Sequence, residues 1–123
     1  MAIKGIRSFH VMTNKLEAAK KFYIEGLGFT LDYEQPGWTA LKMSGIQFAL
    51  HPEDHPVPHI PRDSHGAHAG GCLTLNSDNI SEDRKLLEKI GAKILGEADE
   101  PWGHMLTFED LDGNVIKLMK SKY

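Results

Sequence analysis

Two glycines 63 residues apart, Gly28 and Gly91, close a helical stretch at the same point of the same series of elements. Ahead of Gly28 stands a β-prone run over 6–13. Asn14 follows, with Glu17 three residues on, the pattern of a helix N-cap and its reciprocating carboxylate. Leu16, Ala19, Tyr23 and Leu27 recur at helical spacing, and Phe22 widens the apolar stripe. After Gly28 come strand-like runs over 29–34, 38–43 and 46–51, separated by Pro36-Gly37 and Ser44-Gly45. The second series repeats the order. A strand over 72–75 leads to a helix capped by Asp78 or Ser81, with Ile80, Leu86, Leu87 and Ile90 as its apolar face. Strands over 92–95, 103–108 and 115–119 follow, the last two joined by the tight-turn pair Asp112-Gly113. A β-α-β-β-β unit written twice predicts an α+β fold of two tandem βαβββ modules.

The material between the two series is different. The stretch 51–71 holds four of the six prolines and five of the seven histidines. Pro52, Pro56, Pro58 and Pro61 preclude a helix or a central strand there. The reading is one domain over 1–123, with a first module over about 4–51, a His/Pro-rich linker over about 52–69 and a second module over about 70–120. Four apart, His51, His55 and His59 would share a helix face, but the prolines forbid that helix. His55, His59 and His65 read as solvated linker residues.

Composition excludes several classes. A net charge of −3 offers no basic footprint for nucleic acid. The apolar runs are a handful of residues long, too short for a membrane span. The opening residues 1–7 carry no export signal, and a lone Cys72 leaves no internal disulfide, so a reducing cytoplasm is the expected location.

Three motifs carry a family likeness. Phe22-Tyr23, four residues, then Leu27-Gly28-Phe29 resembles the first-module signature of the vicinal oxygen chelate superfamily, which includes glyoxalase I, extradiol dioxygenases, fosfomycin-resistance proteins and bleomycin-binding proteins. The run from Asp110 to Leu118 is similar to its closing hairpin, D-P-D-G-N-x-x-E-L, and Trp102-Gly103 before the seventh strand is common there too. The resemblance covers about 6–119 and implies sheets curled around a cavity, with modules paired across a homodimer.

It also implies a divalent metal held by histidine or glutamate at strand ends. The matching positions here are Ser8, Gly70 (or Gly71) and Lys117, and none of these is a metal ligand. The family's metal site is therefore expected to be absent, and no cofactor is expected. His10, His51 and His68 offer an alternative set of imidazoles for a relocated ion.

Alternation then assigns faces. Phe9, Val11, Phe48, Leu50, Leu73, Leu75, Ile116 and Leu118 should pack on the helices. The cavity should receive Ser8, His10, Met12, Gln47, Ala49, His51, Cys72, Thr74, Met105, Thr107, Val115, Lys117 and Met119, while His104 points away. Trp38 and Trp102 can stack on a planar ligand, or cover a sheet edge or a subunit contact. Lys117 can attract a carboxylate, phosphate or enolate, or reach for the rim. Cys72 reads as packing, not as a nucleophile.

The function expected is metal-free binding of a small anionic or aromatic molecule. The alternative is a lyase or isomerase acting on an α-substituted carbonyl compound. In that case His10 or His51 would move the proton and Lys117 would steady the oxyanion.

Overall fold

In the computed structural model, which describes residues 2–62 and 66–123, both series of elements form. The expected linker residue His65 lies outside the described residues. The chain divides into two units, Met1–Pro56 and Val57–Tyr123, so the expected linker is shared between them.

The first unit comprises β1 (Ser8–Thr13), α1 (Leu16–Lys21) with a π-helical turn (Phe22–Gly26), β2 (Thr30–Gln35), β3 (Trp38–Met43) and β4 (Ile46–Pro52). Its sheet has the order β1-β4-β3-β2, with β1 parallel to β4 and the other pairs antiparallel. Asn14 is not the helix cap. Lys15 occupies that place without a side-chain capping bond, and the Thr13 hydroxyl instead accepts the Lys15 amide at 3.1 Å. The π turn lets two consecutive aromatics, Phe22 and Tyr23, both bury against the sheet. Tyr23, Phe29 and Phe48 interlock with centroids 4.9–5.8 Å apart, and Phe9 stacks on Phe48 at 6.3 Å.

The second unit comprises β5 (Leu73–Asn76), α2 (Ile80–Lys89), β6 (Lys93–Glu100), β7 (Gly103–Glu109) and β8 (Val115–Ser121), in the sheet order β5-β8-β7-β6. Asn79, not Asp78 or Ser81, caps α2, its side chain accepting the Glu82 amide at 3.1 Å. Gly91 ends the helix at φ +94°, with Ala92 donating back to the Leu87 carbonyl at 2.9 Å. Gly28 does the same at φ +86°. There the returning bond runs from Phe29 to Tyr23 at 3.0 Å, one residue further back because the π turn is wider. Leu87, Leu106, Phe108 and Ile116 are wholly buried on the helix side.

One expectation of length fails, in an outer strand. Strand β6 runs on to Glu100 where the reading stopped at Leu95, and both outer strands carry a register slip. It falls between Leu31 and Tyr33 in β2 and between Ile94 and Gly96 in β6. Each slip is a β-bulge, one residue too many opposite a regular partner. Past the bulge the alternation is out of phase with the sequence count, so Tyr33 faces away from α1 although Leu31 faces toward it.

Candidate functional site

In the second unit, the sheet face opposite α2 is built in rungs. The register aligns Thr74, Lys117, Thr107 and Gly96 across β5, β8, β7 and β6. The next rung is Asn76, Met119, Met105 and Ala98. A cavity of about 390 Å³ lies over these rungs, lined by Gly96, Glu97, Ala98, Glu100, Trp102, Met105, Thr107 and Lys117. Trp102 is 49% exposed and sits where the β6–β7 connection ends, as a wall of this cavity. Gly103 beside it cannot grow, because a Cβ there would lie 2.9 Å from the Lys120 carbonyl oxygen. Among the described residues Lys117 makes no ion pair or hydrogen bond. Lys117 thus stands between Thr74 and Thr107 in its rung and lines the same cavity as Trp102, with the Glu97 and Glu100 side chains also on the lining.

Four of the sequence-derived candidates, Trp102, Met105, Thr107 and Lys117, thus line one cavity. Thr74 is the partner of Lys117 in its rung and is exposed. Cys72 precedes β5 and donates weakly to the carbonyls of Leu73 and Val115. Sequence reasoning missed Gly96, Glu97, Ala98 and Glu100, all on the part of β6 beyond the bulge. A glycine within a strand pattern is the signal that could have found them.

In the first unit the corresponding rung reads His10, Ala49, Ala40 and Tyr33. The two buried alanines leave a low floor beside three rings. His10 and Trp38 have centroids 5.3 Å apart, His10 and His51 6.3 Å, and Trp38 and His51 6.5 Å. Met12 lies opposite His51 in the register, and Gln47 lies between Ser8 and Lys42. His51 Nδ1 also meets the Glu53 carboxylate at 3.0 Å.

The ligand set implied by the resemblance does not fit a divalent ion. Ser8 faces Gln47, Gly70 and Gly71 offer no side chain, and the Lys117 ammonium has no lone pair. His68, the third alternative imidazole, has its Nε2 committed as acceptor of the Val115 amide at 2.9 Å. Burial and the nearby Arg62 guanidinium hold its pKa below the ordinary value. His104 lies on the helix side as expected, between the Glu97 and Asp99 carboxylates at 2.6 and 3.3 Å. Those carboxylates raise its pKa, the Glu97 bond most of all. Hydrogen bonding to Pro56 raises that of His55.

The sequence profile of the glyoxalase/bleomycin resistance protein/dioxygenase superfamily matches residues 5–118. No curated protein matches the sequence. Among solved structures, TnmS3, an antibiotic binding protein from Streptomyces sp. CB03234, is 31% identical over 99% of each chain, with a TM-score of 0.71. A glyoxalase/bleomycin resistance protein from the same organism is 33% identical over 91% of this chain and 96% of its own, with a TM-score of 0.64. The fosfomycin resistance protein FosX from Listeria monocytogenes shares the fold, with a TM-score of 0.77 at 14% identity, over 98% of this chain and 95% of its own. With its duplicated βαβββ order and its profile match over nearly the whole length, the chain belongs to the glyoxalase/bleomycin resistance protein/dioxygenase superfamily.

Proposed function

We propose that the protein binds a small organic molecule combining an aromatic group with an anionic one, in the cavity beside β6, β7 and β8. The observation that carries this is Lys117, an unpaired ammonium among the described residues, on the floor of a cavity walled by Trp102. The volume of about 390 Å³ suits a ligand of two or three rings, since small-molecule pockets start near 300 Å³. The identity of nearly one third with an antibiotic binding protein supports sequestration over turnover. In the same reading the cavity works without a metal, and the protein is a cytoplasmic homodimer.

The test uses an aromatic sulfonate, 8-anilinonaphthalene-1-sulfonate, and its uncharged parent amine as probes, followed by tryptophan fluorescence of the full chain. The sulfonate should bind saturably and the neutral amine about tenfold more weakly, a difference near 1.4 kcal/mol. Equal binding of the two, or binding unchanged by Lys117→Gln, would overturn the anion preference. Binding unchanged by Trp102→Ala would move the site elsewhere.

A further inference from the structure

The carboxylates beside the cavity of the second unit have partners, with one exception. Glu109, on the same face of β7 as Thr107, is held by the Arg62 guanidinium. The Glu97 carboxylate meets Arg84 of α2 at 2.8 Å and His104 at 2.6 Å. Asp99 meets Lys122 at 2.8 Å and His104 at 3.3 Å. Glu100 is the exception, as Lys117 is among the cations. Both line the cavity half-buried, and among the described residues neither side chain has an ion-pair or hydrogen-bond partner. A charge drawn partly out of water without a partner is costly, so each of these two is a place for an opposite charge on a ligand.

The two do not meet one another because the register separates them. Lys117 stands in the rung of Thr74, Thr107 and Gly96, and Glu100 in that of Gly103 and Ser121. The uncharged rung of Asn76, Met119, Met105 and Ala98 lies between. From Gly96 to Glu100 is four residues, about 13 Å at a strand rise of about 3.3 Å per residue. The β6 bulge before Gly96 is what brings Gly96, Ala98 and Glu100 to the face of Lys117. Trp102 precedes Gly103 in the chain and so walls the Glu100 end. Carboxylates hold protonated amines by charge-assisted hydrogen bonds, and indoles attract the same cations.

We infer that the ligand of this cavity is amphoteric, an aromatic molecule with an anionic group for Lys117 at one end and a protonated amine for Glu100 at the other. Its apolar body lies over Ala98 and Met105. This ligand class rests on the function proposed above and adds to it a second charge and a separation. A molecule whose amine adjoins its acid, as in an ordinary α-amino acid, cannot reach both ends.

Calorimetric titration of the full chain at neutral pH with three biphenyl probes tests this. 4′-(Aminomethyl)biphenyl-4-carboxylate carries its two charges at opposite ends, 4′-methylbiphenyl-4-carboxylate keeps only the acid, and 4-phenylphenylalanine carries both charges at one end. The first should bind about tenfold more tightly than either of the others. Glu100→Gln should abolish that advantage, and Lys117→Gln should weaken both biphenyl carboxylates. Thermal unfolding checks that each variant folds, and Glu100→Ala serves where the glutamine variant does not. If the methyl acid binds through Lys117 while the distal amine adds nothing, or adds as much in Glu100→Gln, the amphoteric ligand is overturned and the aromatic anion stands. Equal binding of 4-phenylphenylalanine would overturn the separation. Carboxylate binding indifferent to Lys117→Gln would overturn both readings of the cavity.

Discussion

Asp110 and Asn114 hold the last hairpin closed from both sides of its turn. Asp110 Oδ1 accepts the amides of Asp112 and Asn114, and Oδ2 accepts Asn114 Nδ2, each at 2.9 Å. The Asp110 amide in turn donates to the Asn114 carbonyl at 2.9 Å. Both residues are buried, so the loss of the carboxylate leaves donors with nothing to meet. Asp110→Ala should destabilise the protein by about 3 kcal/mol, and Asp110→Asn by about half as much, since the amide oxygen still accepts. Urea denaturation with unchanged m-values checks both.

Phe48 is the hub of the first unit's core, touching the rings of Phe9, Tyr23 and Phe29. Phe48→Ala should cost about 3–5 kcal/mol, through lost transfer energy and the cavity left behind. Phe48→Leu should recover more than half of that in the same denaturation experiment.

Gly103 lies under the wall of the cavity with no room for a side chain. The added methyl group of Gly103→Ala would press on the Lys120 carbonyl at 2.9 Å and on Met119 at 3.2 Å. The expected cost is about 1–3 kcal/mol, with weaker probe binding as Trp102 shifts. Gly5→Ala, in open space, should change neither and provides the control.

The helix-side cluster of the second unit predicts a pH signature. The pKa of His104 is raised by Glu97 and then Asp99, so its share of stability is full below the unfolded value of about 6.5 and fades as pH rises through the folded one. Glu97 and Asp99 have lowered pKa values, so their share is present above the unfolded carboxylate range and is lost as pH falls. Between those limits, wild type should exceed His104→Gln in Tm by the widest margin near pH 5.5–6, and the gap should narrow toward pH 8. A gap that grows with pH would contradict the assignment.

Most of the fold was legible because regular elements obey simple periods. The glycine caps, the apolar faces of the strands and the Asp112-Gly113 turn all stand where the pattern puts them. The cap of α2 was misplaced by one residue because Asp78, Asn79 and Ser81 are interchangeable in type, and only backbone position selects among them. The site was half legible. Trp102, Met105, Thr107 and Lys117 follow from alternation along β7 and β8 and the turn ahead of β7. Gly96, Ala98 and Glu100 do not, because the bulge lies between them and the part of β6 from which one would count.

The two bulges bear on the repeat itself. Helices, strands and caps recur in unrelated halves because packing favours them everywhere. Bulges are common in edge strands, but that tendency does not set the position at which each one falls. Yet the slip between Leu31 and Tyr33 and the slip between Ile94 and Gly96 stand 63 residues apart, the same offset that separates Gly28 from Gly91. A shared irregularity of this kind makes the repeat one unit written twice, down to its outer strand. The extra residue belongs to the repeated pattern, and the imidazoles of one half and the ammonium of the other stand on the same backbone plan.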